Sequence, residues 1–299
     1  MVERIVNTFN KVLPRHLDTG VFVLGPDFGD AVRAQLTEIC ERHGMTSEFA
    51  VQATALGTGH AVLAAGDALS GEGIVVFADT LFEMEPGVKL DEADVVAWVK
   101  HVEDPSRFGV AVREGGRVVA LVEKPQELIS TEALIGIYYV RDLAALREAN
   151  QYLMDNEITG HGEYQLTDAM DRLLQAGRVF ATATVTEWLD CGTIPALLDT
   201  TKIILSKEGN GHPEGAVEGS VIIDPVYFGA GARVTNSVVG PNVSLEAGAE
   251  VSGSVVRDSI LFSGARVEGS ILKDSLIGRD AVVALGPQKL NIGDHSYMG

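Results

Sequence analysis

Ser254-Val-Val-Arg-Asp-Ser-Ile-Leu-Phe-Ser-Gly-Ala-Arg-Val-Glu-Gly-Ser-Ile-Leu272 carries one short word at 254, 259 and 270: a serine followed by two aliphatic residues. The word also occurs as Ser237-Val-Val and as Ser275-Leu-Ile. Ser237 to Ser254 is 17 positions, Ser254 to Ser270 is 16 and Ser259 to Ser275 is 16. Gly, Asn and Asp turns separate the words. A recurrence this short is one coil of a solenoid, because a single coil cannot bury its aliphatic residues whereas a stack of coils can. A β-sandwich has no reason to repeat its words at a fixed interval. The spacing therefore predicts short parallel strands stacked over residues 217–284, with Val239, Val256 and Leu272 along one interior line.

Upstream of about residue 210 the character changes. Apolar runs alternate with helical patterns, which reads as an α/β domain with a largely parallel sheet. Expected strands are 21–24, 48–51, 74–77, 94–100, 108–112, 117–122, 134–140 and 178–185, with Gly115-Gly116 as a hairpin turn. Expected helices are 30–43, an Ala-rich piece at 59–69, and 142–154, 163–176 and 194–206. Ser206-Lys-Glu-Gly-Asn-Gly-His-Pro213 reads as a linker. The organisation is then an α/β domain over 1–206 and a solenoid over 213–286. The second module resembles the left-handed β-helix built from hexapeptide repeats.

Composition removes several function classes. The chain holds 23 Lys+Arg against 42 Asp+Glu, a formal charge of −19, so a nucleic-acid binder, which needs clustered Lys and Arg, is not expected. No apolar run approaches the roughly 20 residues of a membrane span, and no charged-then-apolar leader opens the sequence. Cys40 and Cys191 make no disulfide framework. The expected setting is a reducing cytoplasm.

Six stretches could carry chemistry. Val51-Gln-Ala-Thr-Ala-Leu-Gly-Thr-Gly-His60 runs from a strand through a Gly-containing loop into a helix, a place where a ligand can approach the backbone and helix N–H groups. Asp79, directly after the apolar run Ile74-Val-Val-Phe77, stands at the carboxyl edge of a sheet. A carboxylate there suits Mg²⁺, which takes one or two protein carboxylates and completes its shell with phosphate oxygens and water. Asp190 in Glu187-Trp-Leu-Asp-Cys-Gly-Thr193 is a second such carboxylate, or else the cap of the helix that follows. Glu123-Lys124-Pro125 places a lysine at a strand end, where it can meet a phosphate as a point charge. Tyr138-Tyr139 and His161-Gly-Glu-Tyr-Gln-Leu-Thr-Asp168 offer hydroxyl, amide and carboxylate groups to a sugar, although Asp168 and Asp171 equally suit an exposed helix face.

Taken in order, Leu56-Gly-Thr-Gly-His-Ala61, Phe77-Ala-Asp-Thr80, Arg107-Phe-Gly109, Glu123-Lys-Pro125, Gly136-Ile-Tyr-Tyr139, Glu163-Tyr-Gln-Leu-Thr-Asp168 and Trp188-Leu-Asp-Cys-Gly-Thr193 form one series. It resembles the sugar-1-phosphate nucleotidyltransferases, the glucose-1-phosphate thymidylyl-, uridylyl- and adenylyltransferases. The resemblance runs to about residue 206, and a C-terminal left-handed β-helix extends it to about 285. It implies a Rossmann-like domain with a mixed, mostly parallel sheet. It also implies in-line attack of a sugar-1-phosphate oxygen on the α-phosphorus of a nucleoside triphosphate, with pyrophosphate leaving. By the same resemblance Asp79 and Asp190 hold Mg²⁺ at one cleft edge, and Gln52 and Gly57 read the nucleobase beside Thr58. Lys124 meets the sugar phosphate, and Gly109, Glu123 and Tyr138 contact the sugar. Nucleoside triphosphate and sugar-1-phosphate are the implied partners, and a homo-oligomer is the expected assembly.

One family feature is not in the sequence. Members open with a strand and a Gly-x-Gly-(Thr/Ser)-Arg-Leu loop, followed by a Pro-Lys pair, that grips the triphosphate. Here Met1 to Phe9 already reads as the helix after it, and Gly229-Ala-Gly-Ala-Arg233 lies in the repeat region. The expectation is a start at an internal Met of a longer protein and weak turnover by the chain as written. A non-catalytic regulatory homologue that binds nucleotide sugar is the alternative.

Overall fold

The computed structural model describes residues 1–208, 213 and 215–285. Residues 209–212 of the expected linker and residue 286 lie outside them. The chain forms two compact units, Met1–Leu189 and Asp190–Gly299. No helix among the described residues is long and apolar enough to cross a membrane.

In the first unit Val2–Val12 (α1) lays Ile5, Val6, Phe9 and Val12 on its buried face. Thr19–Leu24 (β1), Asp30–Arg42 (α2) and Thr46–Val51 (β2) form a β-α-β unit in which the two strands pair in parallel. Gly20 is needed for close packing, since a Cβ there would stand 2.9 Å from Cys40 Sγ. The helix Thr58–Leu63 (α3) is followed by Gly73–Val76 (β3), Thr80–Glu83 (β4), Val95–His101 (β5), Gly109–Glu114 (β6), Arg117–Glu123 (β7) and Glu132–Val140 (β8). Leu143–Asp155 (α4), Leu166–Gln175 (α5), Phe180–Thr184 (β9) and Glu187–Asp190 (β10) complete the series.

Six strands form the main sheet in the order β7-β6-β8-β5-β9, with β3 also on β8. Tyr138 of β8 pairs with Ala97 on one edge and Val75 on the other, so β8 is the centre. Its residues from Ala133 to Val140 are all buried, as are Val95 to Val99 of β5. Continuous apolar runs such as these belong to strands covered on both faces. The sheet is mixed, as expected, but its balance corrects the largely parallel reading. β5–β9 is parallel, whereas β3–β8, β5–β8, β6–β7 and β6–β8 are antiparallel. The tight Gly115-Gly116 hairpin makes β6–β7 antiparallel, and β8 then joins in the same sense. β4 and β10 pair separately and were not expected, because four-residue strands carry little periodicity. Arg15, just ahead of β1, bridges Glu72, just ahead of β3, and Asp91. Tyr139 donates to Glu72 at 2.6 Å.

The second unit begins with Ile194–Glu208 (α6), which lies against the strand Val243–Leu245. The repeat forms a parallel solenoid of about four coils with three sheets. On the second sheet Val239 pairs with Val256 and Val256 with Leu272, as the spacing predicted. Val234, Val239, Val243, Val251, Val256 and Val267 fill the interior. One corner is held by Gly219, Asn236, Gly253 and Gly269, all with positive φ (58°, 49°, 55° and 54°), so the column takes only residues that tolerate the left-handed region.

A serine follows that corner in every coil, at 237, 254 and 270 as the start of a repeated word. Ser220, Ser237, Ser254 and Ser270 each donate a side-chain bond of 2.7 Å to the carbonyl two residues back. Ser220, Ser237 and Ser254 each accept, at 3.0 Å, the backbone N–H of the serine one coil on. The hydroxyl thus satisfies two backbone groups where the chain turns. Ser254→Ala would leave the Ser270 N–H without its acceptor in a buried place, and the Ser252 carbonyl would keep only the Gly269 N–H. The expected loss is about 1–3 kcal/mol, read as a lower thermal midpoint by far-ultraviolet circular dichroism, with Ser275→Ala on the exposed side costing less.

Candidate active site

The Gly-containing loop and the Glu163–Asp168 stretch are one structure, although they lie 107 residues apart in the chain. Tyr164 N donates to Leu56 O at 2.9 Å and Gly59 N donates to Tyr164 O at 2.8 Å. Leu166 N donates to Thr58 Oγ1 at 3.0 Å. Gly57, with φ 115°, sits where side chains are strained, and a Cβ on it would stand 2.5 Å from the Tyr164 oxygen. Gly59 is equally confined, 2.6 Å from Asn150 Oδ1 at the position of a Cβ. The loop's two glycines are therefore spent on its own packing against the 163–166 backbone.

At the start of the loop Gln52 Nε2 donates to Gly57 O at 3.1 Å and stands 3.0 Å from His60 Nδ1. At its far side the next residues build a polar cluster. Thr167 Oγ1 donates to Glu123 Oε2 at 2.7 Å. Gly109 makes room for that pair, since its Cβ would lie 2.8 Å from the carboxylate oxygen and 3.1 Å from Thr167 Oγ1. Tyr138 is buried in the core with Thr167 and Glu123 as neighbours. Burial first, then the Glu123 charge, push its hydroxyl above the usual tyrosine range, so it stays a neutral donor. Burial, then Glu123 and Asp171, likewise raise the Asp168 carboxyl, against the pull of His161.

Lys124 directly follows β7 with φ 43°, a strained value that redirects the chain before Pro125. Its N–H donates to Phe108 O at 3.1 Å, and its ammonium lies 3.9 Å from Glu123 Oε1. Lys124, Glu123, Gly109, Thr167 and Tyr138 are thus brought together, and Gln52, Gly57, Thr58 and His60 form a second group on the same strap. Asp79 directly precedes β4, in a turn closed by Thr80 N to Phe77 O at 3.3 Å. Asp190 ends β10, and its Oδ1 accepts from Gly192 N at 2.8 Å. Asp190 is not the helix cap, because Thr193 Oγ1 takes that role from Ala196 N.

Several readings change with the geometry. Tyr138 and Tyr139 do not act as a pair, since alternation along β8 sends Tyr139 to Glu72 instead. Asp171 is not a solvated face residue: it accepts Leu121 N at 2.9 Å. Thr167 is the group that sequence reasoning passed over. Its signal was present, a hydroxyl at the second position of a helix directly after a polar word.

A mixed sheet covered on both faces, with a strand-to-helix loop strapped beside a carboxylate, hydroxyl and lysine cluster and a parallel solenoid after it in the chain, defines an α/β protein with a candidate site for a polar ligand. Residues 4–207 match the nucleotidyl transferase family, and the chain belongs to it. It is 31% identical over 314 aligned positions to the glucose-1-phosphate thymidylyltransferase of Streptomyces griseus, covering 94% of this chain and 85% of that one. It is 32% identical over 228 positions to the enzyme of that name from Streptomyces antibioticus, covering 72% and 62%. Among solved structures the fold matches a UDP-glucose pyrophosphorylase complexed with UDP-glucose at TM-score 0.54 and 18% identity, over 69% of this chain and 87% of that one. A nucleoside-diphosphate-sugar pyrophosphorylase from Vibrio cholerae matches at 0.54 and 18%, over 67% and 84%.

Two outcomes follow. Gly57→Ala forces a side chain against the Tyr164 backbone and should cost about 2 kcal/mol or more, measured by urea unfolding through Trp98 and Trp188 fluorescence. Asp168 binds its proton more tightly folded than unfolded. Its contribution is therefore stabilising below the usual carboxylate range and is lost as pH rises through the raised folded value. Asp168→Asn should raise the urea midpoint at pH 7 and leave it nearly unchanged at pH 3.

Proposed function

We propose that this chain transfers a nucleotidyl group from a nucleoside triphosphate to a sugar-1-phosphate and releases pyrophosphate. One observation carries the reading: the 163–167 segment holds the Gly57 loop through its backbone and Glu123 through Thr167, so a base-facing loop and a sugar-facing cluster share one strap. In this reading Gln52, Gly57 and Thr58 take the nucleotide. Glu123 and Tyr138 take sugar hydroxyls, with Gly109 leaving space, and Lys124 neutralises the sugar phosphate. Positioning and charge neutralisation do most of the work in such transfers.

Asp79 and Asp190 are the carboxylates proposed for Mg²⁺. Among the described residues no group of three or more His, Cys, Asp or Glu side chains is placed to cage an ion. That donor set fits a cation that takes one or two carboxylates and relies on phosphate oxygens and water. When bound, the ion screens charge on the phosphates. The buried cysteine thiols suit a cytoplasmic setting, and a homo-oligomer is the proposed assembly.

No Gly-x-Gly-(Thr/Ser)-Arg-Leu sequence occurs in the 299 residues. Each preorganised donor to developing charge is worth about 10²–10³ in rate. We therefore propose that turnover by this chain alone is slow and rises when such a loop is supplied at its N-terminus from a relative.

The test is pyrophosphate release with Mg²⁺, the four common nucleoside triphosphates and glucose-1-phosphate, on the chain and on its loop-extended form. The extended form should turn over, and Asp79→Asn within it should lose about 10²-fold or more. Family-like rates from the short chain would overturn the slow-turnover proposal. Silence from both, with nucleotide sugar still bound, would favour the regulatory homologue.

A further inference from the structure

The orientation of the Gln52 amide is dictated by its neighbours. A carbonyl only accepts hydrogen bonds, so the Gln52 atom 3.1 Å from Gly57 O is the NH₂ nitrogen. Turning the amide over would set two oxygens against each other. The Gly57 carbonyl cannot swing aside, because φ 115° and the Tyr164 backbone confine its peptide. The same oxygen accepts Ala61 N at 3.1 Å as the first bond of α3. One amide proton is thus committed to Gly57, and the other faces His60 Nδ1 at 3.0 Å. Nδ1 must then be the bare, accepting nitrogen, and the ring proton resides on Nε2. Gln52 Oε1 is left facing away with both lone pairs, and among the described residues nothing donates to it.

We propose that His60 is a positioning residue for nucleobase selection: by accepting from Gln52 Nε2 it holds Oε1 as the only group that Gln52 offers the base. This rests on the reading of Gln52 as base-facing and adds the residue that sets its polarity. An acceptor in that place suits a base edge whose ring nitrogen carries a proton, as in uracil, thymine or guanine. It opposes the lone pair of a bare ring nitrogen, as in cytosine or adenine. The lock is made of a backbone carbonyl and a histidine, so it exists before any nucleotide arrives. Without the His60 acceptor the amide keeps only its Gly57 bond and can tilt or turn when a base of the wrong polarity enters.

Uracil and cytosine differ at this edge while keeping one ring size, which makes UTP and CTP the probes. Two measurements on the full chain test the proposal. Long-range ¹H–¹⁵N correlation spectra of the free protein should show His60 Nδ1 as the unprotonated nitrogen and Nε2 as the protonated one. Calorimetric titration with MgCl₂ should show UTP binding about tenfold or more tighter than CTP. His60→Asn, whose side-chain oxygen can stand where Nδ1 does, should keep the preference. His60→Ala should reduce it to about twofold or less. The proton on Nδ1, or a His60→Ala protein with the full preference, would overturn the proposal. Equal binding of both nucleotides to the unmodified chain would also overturn it and leave the transferase reading standing. Absence of binding by either nucleotide, to the chain and to its loop-extended form alike, would remove both.

Discussion

The strap between the Gly57 loop and residues 163–166 is the constraint on which the candidate site depends. Two backbone hydrogen bonds and one hydroxyl tie the segments, and the loop reaches that distance only because Gly57 and Gly59 have no side chains. Each such bond is worth only about 1 kcal/mol net. What matters is that the glycines leave the loop no second arrangement of comparable packing. From that tie follow the capping carbonyl of α3, the placement of Gln52 against His60, and the start of α5 with Thr167 beside Glu123.

The cluster around Tyr138 shows how burial is turned into chemistry. Tyr138 sits in the apolar core on the central strand, where its hydroxyl would be costly without a partner. Thr167 supplies that partner, and burial together with the Glu123 charge keeps the phenol protonated. Glu123 in turn is held at the end of β7, immediately before the strained Lys124. A donor, an acceptor and a cation thus stand together at the end of β7, on β8 across the intervening β6, and at the start of α5.

The solenoid meets a different problem with the same economy. Its corners require left-handed backbone, which Gly and Asn tolerate, and they interrupt the strand ladders. A serine placed directly after the corner repairs both sides, donating backward and accepting from the next coil. The recurring serine is therefore a backbone device, and the aliphatic pair after it supplies one inward residue per coil.

Much of this was legible in the sequence, and the boundary between what was and was not has a physical cause. Repetition, apolar runs and turn residues are local. The solenoid register, the long helices, the buried strands β5 and β8 and the Gly115-Gly116 hairpin could be read because short-range sterics and period decide them. The family words also stood in order along the chain. What only the tertiary structure decided were pairings between distant segments: the antiparallel weight of the sheet, the short β4–β10 pair, Tyr139 turning to Glu72, Asp171 serving Leu121, and Thr167 holding Glu123. Which acceptor a hydroxyl or carboxylate finds depends on what the fold brings within about 3 Å. Spacing along the chain carries no such information, so the polarity of Gln52 became visible only once Gly57 and His60 stood on either side of its amide.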